Sequence, residues 1–129
     1  MSNLLVIQTE NAPAAIGPYS QAIKTKGLVF LSGQIPLDPT SMMVVEGGIE
    51  QQAHQVFKNL TAVANASGSS INSAIKLTIY LTDLEDFSIV NKVMKEYFSS
   101  PYPARTTIQV SALPKNVNIE IDAILDLPI

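Results

Sequence analysis

An α+β fold is predicted for this chain, on two observations. Apolar residues recur at helical spacing in two stretches, and in the flanking segments they alternate with polar ones. Helices and strands do not alternate regularly, because three strands precede the first helix. The order is β-β-β-α-β-α-β-β, with the two helices expected on one face of a mixed sheet.

The first strand is expected in "NLLVIQT", residues 3–9. Pro13, Gly17 and Pro18 then mark irregular backbone. "YSQAIKTKGLVFLSG" reads as a hairpin in which Tyr19, Gln21 and Ile23 share a face, Lys26-Gly27 makes the turn, and Gly33 ends the returning strand. From Ile49 to Ser67, Ala53, Val56, Phe57, Leu60, Val63 and Ala64 form one helical stripe, and Gly68 suits a left-handed stop. "SAIKLTIYLT" alternates Ile75, Leu77, Ile79 and Leu81 with Lys76, Thr78 and Tyr80, the pattern of a half-buried strand. Asp83 is positioned as an N-cap, and Leu84, Phe87, Val90, Met94, Tyr97 and Phe98 give a second amphipathic helix that Pro101 and Pro103 stop. "RTTIQVSAL" and "VNIEIDAIL" close the chain as two further strands. Paired with each other across Leu113–Asn116, with their apolar faces together, they place Arg105 and Thr107 on the same side as Glu120 and Asp122.

The 129 residues read as one domain, 1–129, large enough to bury a core. Apolar residues make up 47% and charged residues only 15%, which leaves apolar surface available for self-association. A net charge of −3 without a basic cluster argues against nucleic acid as a partner. There are no cysteines, so disulfides, thiolate nucleophiles and zinc–thiolate sites are excluded, and a reducing cytoplasm is compatible. The apolar run Leu4 to Ile7 is too short for a signal peptide or a membrane span.

Most catalytic vocabularies are missing. There is no glycine-rich phosphate loop and no nucleophile elbow. His54 is the sole histidine and falls with Glu50, Gln51 and Lys58 on the polar helix face, where a solvated surface residue is expected. Arg105 stands out as the only arginine, the other seven basic residues being lysines. A guanidinium offers a rigid fork of donors that grips a carboxylate with two hydrogen bonds, which an ammonium cannot do. The alternative is a cross-strand ion pair with Glu120 or Asp122, although such a surface pair contributes little and lysine could make it.

"ENAPAAIGPYSQAI", "LVFLSGQIPLDP", "YLTDLEDFSIVNKVMKEYF", "YPARTTIQV" and "LPKNVNIEIDAI" together resemble the Rid/YjgF family of reactive-intermediate deaminases, also named the endoribonuclease L-PSP family, over about Glu10 to Ala123. The resemblance implies a chorismate-mutase-like α+β fold and a homotrimer with a central β-barrel and sites between subunits. It implies that Arg105 binds a substrate carboxylate and that Glu120 positions or activates water. It further implies that Tyr19 lines the cleft, that Ser32 and Gly33 supply hydroxyl and backbone contacts, and that Asn91 is a further candidate. Many relatives carry cysteine where this chain has Thr107, a position whose backbone N–H could serve equally well.

The implied reaction is hydrolysis of enamines and imines such as 2-aminoacrylate and 2-iminopropionate to 2-keto acids and ammonia, without metal or organic cofactor. Such compounds are released by pyridoxal-phosphate enzymes, which become functional partners, and the expected location is cytoplasmic. Two other readings stay open: a non-catalytic module that binds a small carboxylate through the same arginine, and a ribonuclease.

Overall fold

Ala53, Val56, Phe57, Leu60, Val63 and Ala64 are fully buried along one stripe of the helix α1, Ile49–Ala66, as their spacing requires. The helix ends in a Schellman motif: Ser69 N–H donates to the Ala64 carbonyl, Gly68 N–H to that of Asn65, both at 3.1 Å, and Gly68 takes φ +86°. The second stripe is shorter than predicted. Asp83 accepts a hydrogen bond from Glu85 N–H and caps a 3-10 turn, Leu84–Asp86, and only then does α2 run from Phe87 to Met94. Beyond it, Phe98 packs edge-on to Phe57 at 5.8 Å and Tyr97 stacks on Phe57 at 5.2 Å, which fastens this segment to α1.

The computed structural model describes residues 4–127. Asn3, with which the expected first strand begins, lies outside them, as do the two ends of the expected 1–129 domain. Among the described residues six strands form one mixed sheet: β1 Leu5–Ile7, β2 Ala22–Thr25, β3 Leu28–Gln34, β4 Ala74–Leu81, β5 Ala104–Gln109 and β6 Ile119–Asp126. The order across the sheet is β1-β2-β3-β6-β4-β5. The two-residue Lys26-Gly27 turn joins β2 to β3 with both residues at positive φ, as the twist of a tight hairpin demands. β3 does not end at Gly33. It continues through a bulge in which Ser32 and Gly33 together oppose Asp122, between the pairs Leu31–Ala123 and Gln34–Ile121.

The expected pairing of the last two strands does not occur. β6 inserts between β3 and β4, antiparallel to both, and β5 runs parallel to β4 as an edge strand. Leu113–Asn116 therefore serves as a crossing, in a 3-10 turn with Lys115 and Asn116 at positive φ, and not as a hairpin. Central placement suits β6, whose Ile119, Ile121, Ala123 and Leu125 are all buried under the helices with Leu77, Ile79 and Leu81 of β4. Among the described residues the opposite face of the sheet carries no helix. Val6, Phe30 and Ile108 are exposed on it, with Ile23 and Ile124 half-buried between them. Among the described residues no helix is long and apolar enough to cross a membrane.

Candidate active site

Register decides which way the candidate side chains point. Arg105 pairs with Leu77 and Thr107 with Ile79, so both face the helices. Glu120 pairs with Tyr80 and Asp122 with Thr78, on the open face. The sequence-based expectation that arginine and carboxylates share one side is thus reversed: within one chain they occupy opposite faces of the sheet. The cross-strand ion pair is absent accordingly. Asp122 instead accepts the Tyr80 hydroxyl at 3.1 Å, and among the described residues no carboxylate pairs with Arg105.

The guanidinium is held by neutral groups. Nη1 donates to Asn91 Oδ1 at 2.6 Å and lies 3.6 Å from Met94 Sδ, and the Phe87 ring sits 5.0 Å from its central carbon. Phe87, Asn91 and Met94 recur once per turn of α2, so one face of a short helix meets the edge strand and fixes the arginine. Asn91 and Met94, with Lys95, Tyr102 and Pro103, line a cleft of about 330 Å³ around Arg105. From the sequence Phe87 and Met94 read only as core; their spacing with Asn91 on one helix face is the signal that could have grouped them. On the same rim, the Thr107 hydroxyl is buried without a hydrogen-bond partner among the described residues.

The remaining candidates gather elsewhere. Tyr19, Ser32, Gly33 and Glu120 line a second cleft of about 630 Å³, together with Lys115 and Met42, which sequence reasoning had not singled out. Tyr19 lies in the loop before β2, not in the predicted hairpin strand, and its hydroxyl oxygen accepts Ile16 N–H at 3.3 Å. Gln21 anchors this loop from below, its buried amide binding the backbone of Thr9 and the carbonyl of Pro13. The Ser32 hydroxyl donates to the Ser20 carbonyl at 2.5 Å.

Gly33 has a steric reason to be glycine. A Cβ there would run into the Glu120 carboxylate, whose carboxyl carbon would lie 3.0 Å away. The bulge thereby lays bare backbone beneath the carboxylate. Half-buried Glu120 has its pKa raised above the ordinary glutamate value, first by loss of solvent and then by the charge of Asp122.

His54 is not a solvated surface residue. It is half-buried, with Nδ1 2.9 Å from the Tyr97 hydroxyl and Nε2 3.6 Å from the Glu96 carboxylate, and it lines neither cleft. It fastens α1 to the segment after α2.

The family model described as endoribonuclease L-PSP matches residues 9–126. A RutC family protein of Pyrococcus horikoshii is 52% identical over 119 residues, covering 92% of this chain and 94% of its own. The 2-iminobutanoate/2-iminopropanoate deaminase of Homo sapiens is 45% identical over 126 residues, covering 96% and 92%. Among solved structures, RidA from an Antarctic Psychrobacter superposes with a TM-score of 0.91 at 48% identity, over 95% of this chain and 98% of that one. E. coli TdcF with bound serine gives 0.89 at 40% identity, over the same shares. At this identity, over nearly the full length and with the same fold, the chain belongs to the endoribonuclease L-PSP family, the Rid/YjgF proteins.

Proposed function

We propose that this protein hydrolyses enamine- and imine-type intermediates of amino acids to 2-keto acids and ammonia. The observation that carries the reading is Arg105, a guanidinium held by a neutral amide and an aromatic ring, with no carboxylate paired to it among the described residues. Such a group is preorganised for a carboxylate ligand. The human relative named as an imine deaminase and the TdcF structure with bound serine support a small amino-acid-like ligand.

Because Arg105 and Glu120 lie on opposite faces, one chain cannot present both to one small molecule. The site is assembled between subunits of a homotrimer, the arginine rim of one protomer meeting the Gly33–Glu120 cleft of the next. The sheet face away from the helices, on which Val6, Phe30 and Ile108 are exposed, supports this assembly, as the surface that neighbouring protomers cover.

In the reaction the enamine tautomerises to the imine, whose carboxylate Arg105 holds, with the Thr107 hydroxyl and backbone beside it. Glu120 accepts a proton from water as the oxygen bonds to C2 and passes it to the imine nitrogen, giving a carbinolamine. It then takes the hydroxyl proton and delivers it to the amine as the C–N bond breaks, so that ammonia leaves and the 2-keto acid remains. Tyr19 and Ser32 close the cleft around the reacting carbon. Neither metal nor organic cofactor is needed, because such imines hydrolyse unaided and positioning with electrostatic complementarity suffices to hasten them. The protein works in the cytoplasm beside pyridoxal-phosphate enzymes that release these intermediates.

The test is pyruvate and ammonia release from 2-aminoacrylate generated in situ by a serine dehydratase. Wild type accelerates it, and Arg105→Lys, which keeps charge but loses the fork, lowers the rate on the order of a hundredfold. Carboxylate binding without any acceleration would instead establish a binding module.

A further inference from the structure

Within one chain the cleft beside Glu120 measures about 630 Å³, in the range of roughly 300–1,000 Å³ typical of small-molecule sites. In the proposed assembly the neighbour's arginine rim takes the Glu120 end and leaves the far wall to a side chain. Tyr19, Ser32 and Gln34 line it with Glu120 and Lys115, and Ile16, Ile35, Leu37 and Met42 supply an apolar stretch of its wall.

The segment bearing three of these residues is pinned on both sides. Asn59 of α1, itself buried, donates from Nδ2 to the carbonyls of Ile35 at 3.2 Å and Leu37 at 3.0 Å, and Gln55 fixes the Asn59 amide at 2.9 Å. Asp38 closes the turn above, its carboxylate accepting Thr40 and Ser41 N–H at 2.8 and 2.9 Å and its carbonyl accepting Met42 N–H at 2.8 Å. The turn holds Met42 at φ +60°, a conformation non-glycine residues rarely adopt. Backbone held in such a state concentrates at ligand-binding positions, and methionine is the apolar side chain most able to fit varied shapes.

We propose that Ile16, Ile35, Leu37 and Met42 form a side-chain subsite that selects imino acids with an extended apolar side chain, such as those derived from leucine or methionine, over the alanine-derived imine. This rests on the deaminase reading above. The headgroup is held by Arg105 and attacked beside Glu120, while the side chain runs along the pinned wall and leaves water.

The experiment generates imines in situ with an L-amino-acid oxidase from alanine, leucine and methionine, and follows 2-keto acid and ammonia release. Wild-type protein shows kcat/KM for the two longer imines above that for the alanine-derived one by about tenfold or more. Met42→Asn, which tolerates positive φ, and Ile16→Ser, at a position 68% exposed where the fold survives, each cut that ratio about fivefold or more. Acceleration of the alanine-derived imine with a ratio at or below one, or a ratio unmoved by both variants, overturns the subsite and leaves the deaminase standing. No acceleration of any imine overturns both.

Discussion

Replacing Asn91 by aspartate barely alters shape but sets a carboxylate where Oδ1 now lies 2.6 Å from the Arg105 guanidinium. The arginine then has an ion-pair partner and less to offer a substrate carboxylate. KM is expected to rise about tenfold while kcat changes little, and the melting temperature should hold or increase. Loss of activity with loss of stability would mean that Asn91 serves packing alone. Glu120 allows a sharper measurement because its pKa is raised. A glutamate whose folded pKa exceeds its unfolded value favours folding when protonated, and its ionisation costs stability as pH rises through the window between them. Glu120→Gln should therefore raise the melting temperature at neutral pH, with the gain vanishing below the ordinary glutamate pKa. In the wild type the acid limb of imine turnover should lie above that ordinary value, since the protonated carboxyl cannot take a proton from water. A thermal-shift series and a pH–rate profile on the same two proteins check both.

The bulge in β3 and the edge strand β5 are the elements that carry the Glu120 and Arg105 clefts, the two halves of the proposed site. Gly33→Ala puts a methyl against the Glu120 carboxylate, so the carboxylate must swing away or the bulge must open. Turnover should drop about a hundredfold, with stability lowered by about 1–3 kcal/mol, measurable by urea titration. The helices and strands were legible because their periodicities are local: the α1 stripe and the Ile119–Leu125 alternation name their buried faces correctly. Strand order was not legible, since the segment between β5 and β6 resembles a hairpin turn and only β4's choice of two neighbours rules that out. The face of β5 was misread for a related reason. Thr106, Ile108 and Val110 look like a core face and Arg105, Thr107 and Gln109 a wet one, yet parallel pairing with Leu77, Ile79 and Leu81 turns the polar set under α2. Conflict between local pattern and fold falls where a ligand is expected to bind. The residues Arg105, Glu120, Tyr19, Ser32, Gly33 and Asn91 could be picked out by type and motif, but their division between two clefts could not.

For the molecule as a whole, the separation of Arg105 from Glu120 makes subunit exchange informative. In the proposed homotrimer, co-expressing Arg105→Lys with Glu120→Gln chains would give mixed assemblies in which some interfaces join an intact arginine to an intact glutamate from different chains. With random mixing about a quarter of the sites are whole, so activity should return to about that fraction although each parent is impaired. No recovery would mean that both residues serve from one subunit. The central position of β6 has an effect of another kind, on the order in which the molecule can come into being. The β1–β2–β3 ribbon and the β4–β5 pair share no strand until β6 bridges them, and β6 follows them all in the chain. During synthesis both parts leave the ribosome with their inner edges open, and the helices have only half a sheet to cover. The protein is therefore most exposed to proteolysis and to misdirected strand pairing just before Ile119–Asp126 emerges, and a late, long-range closure sets the pace of its folding.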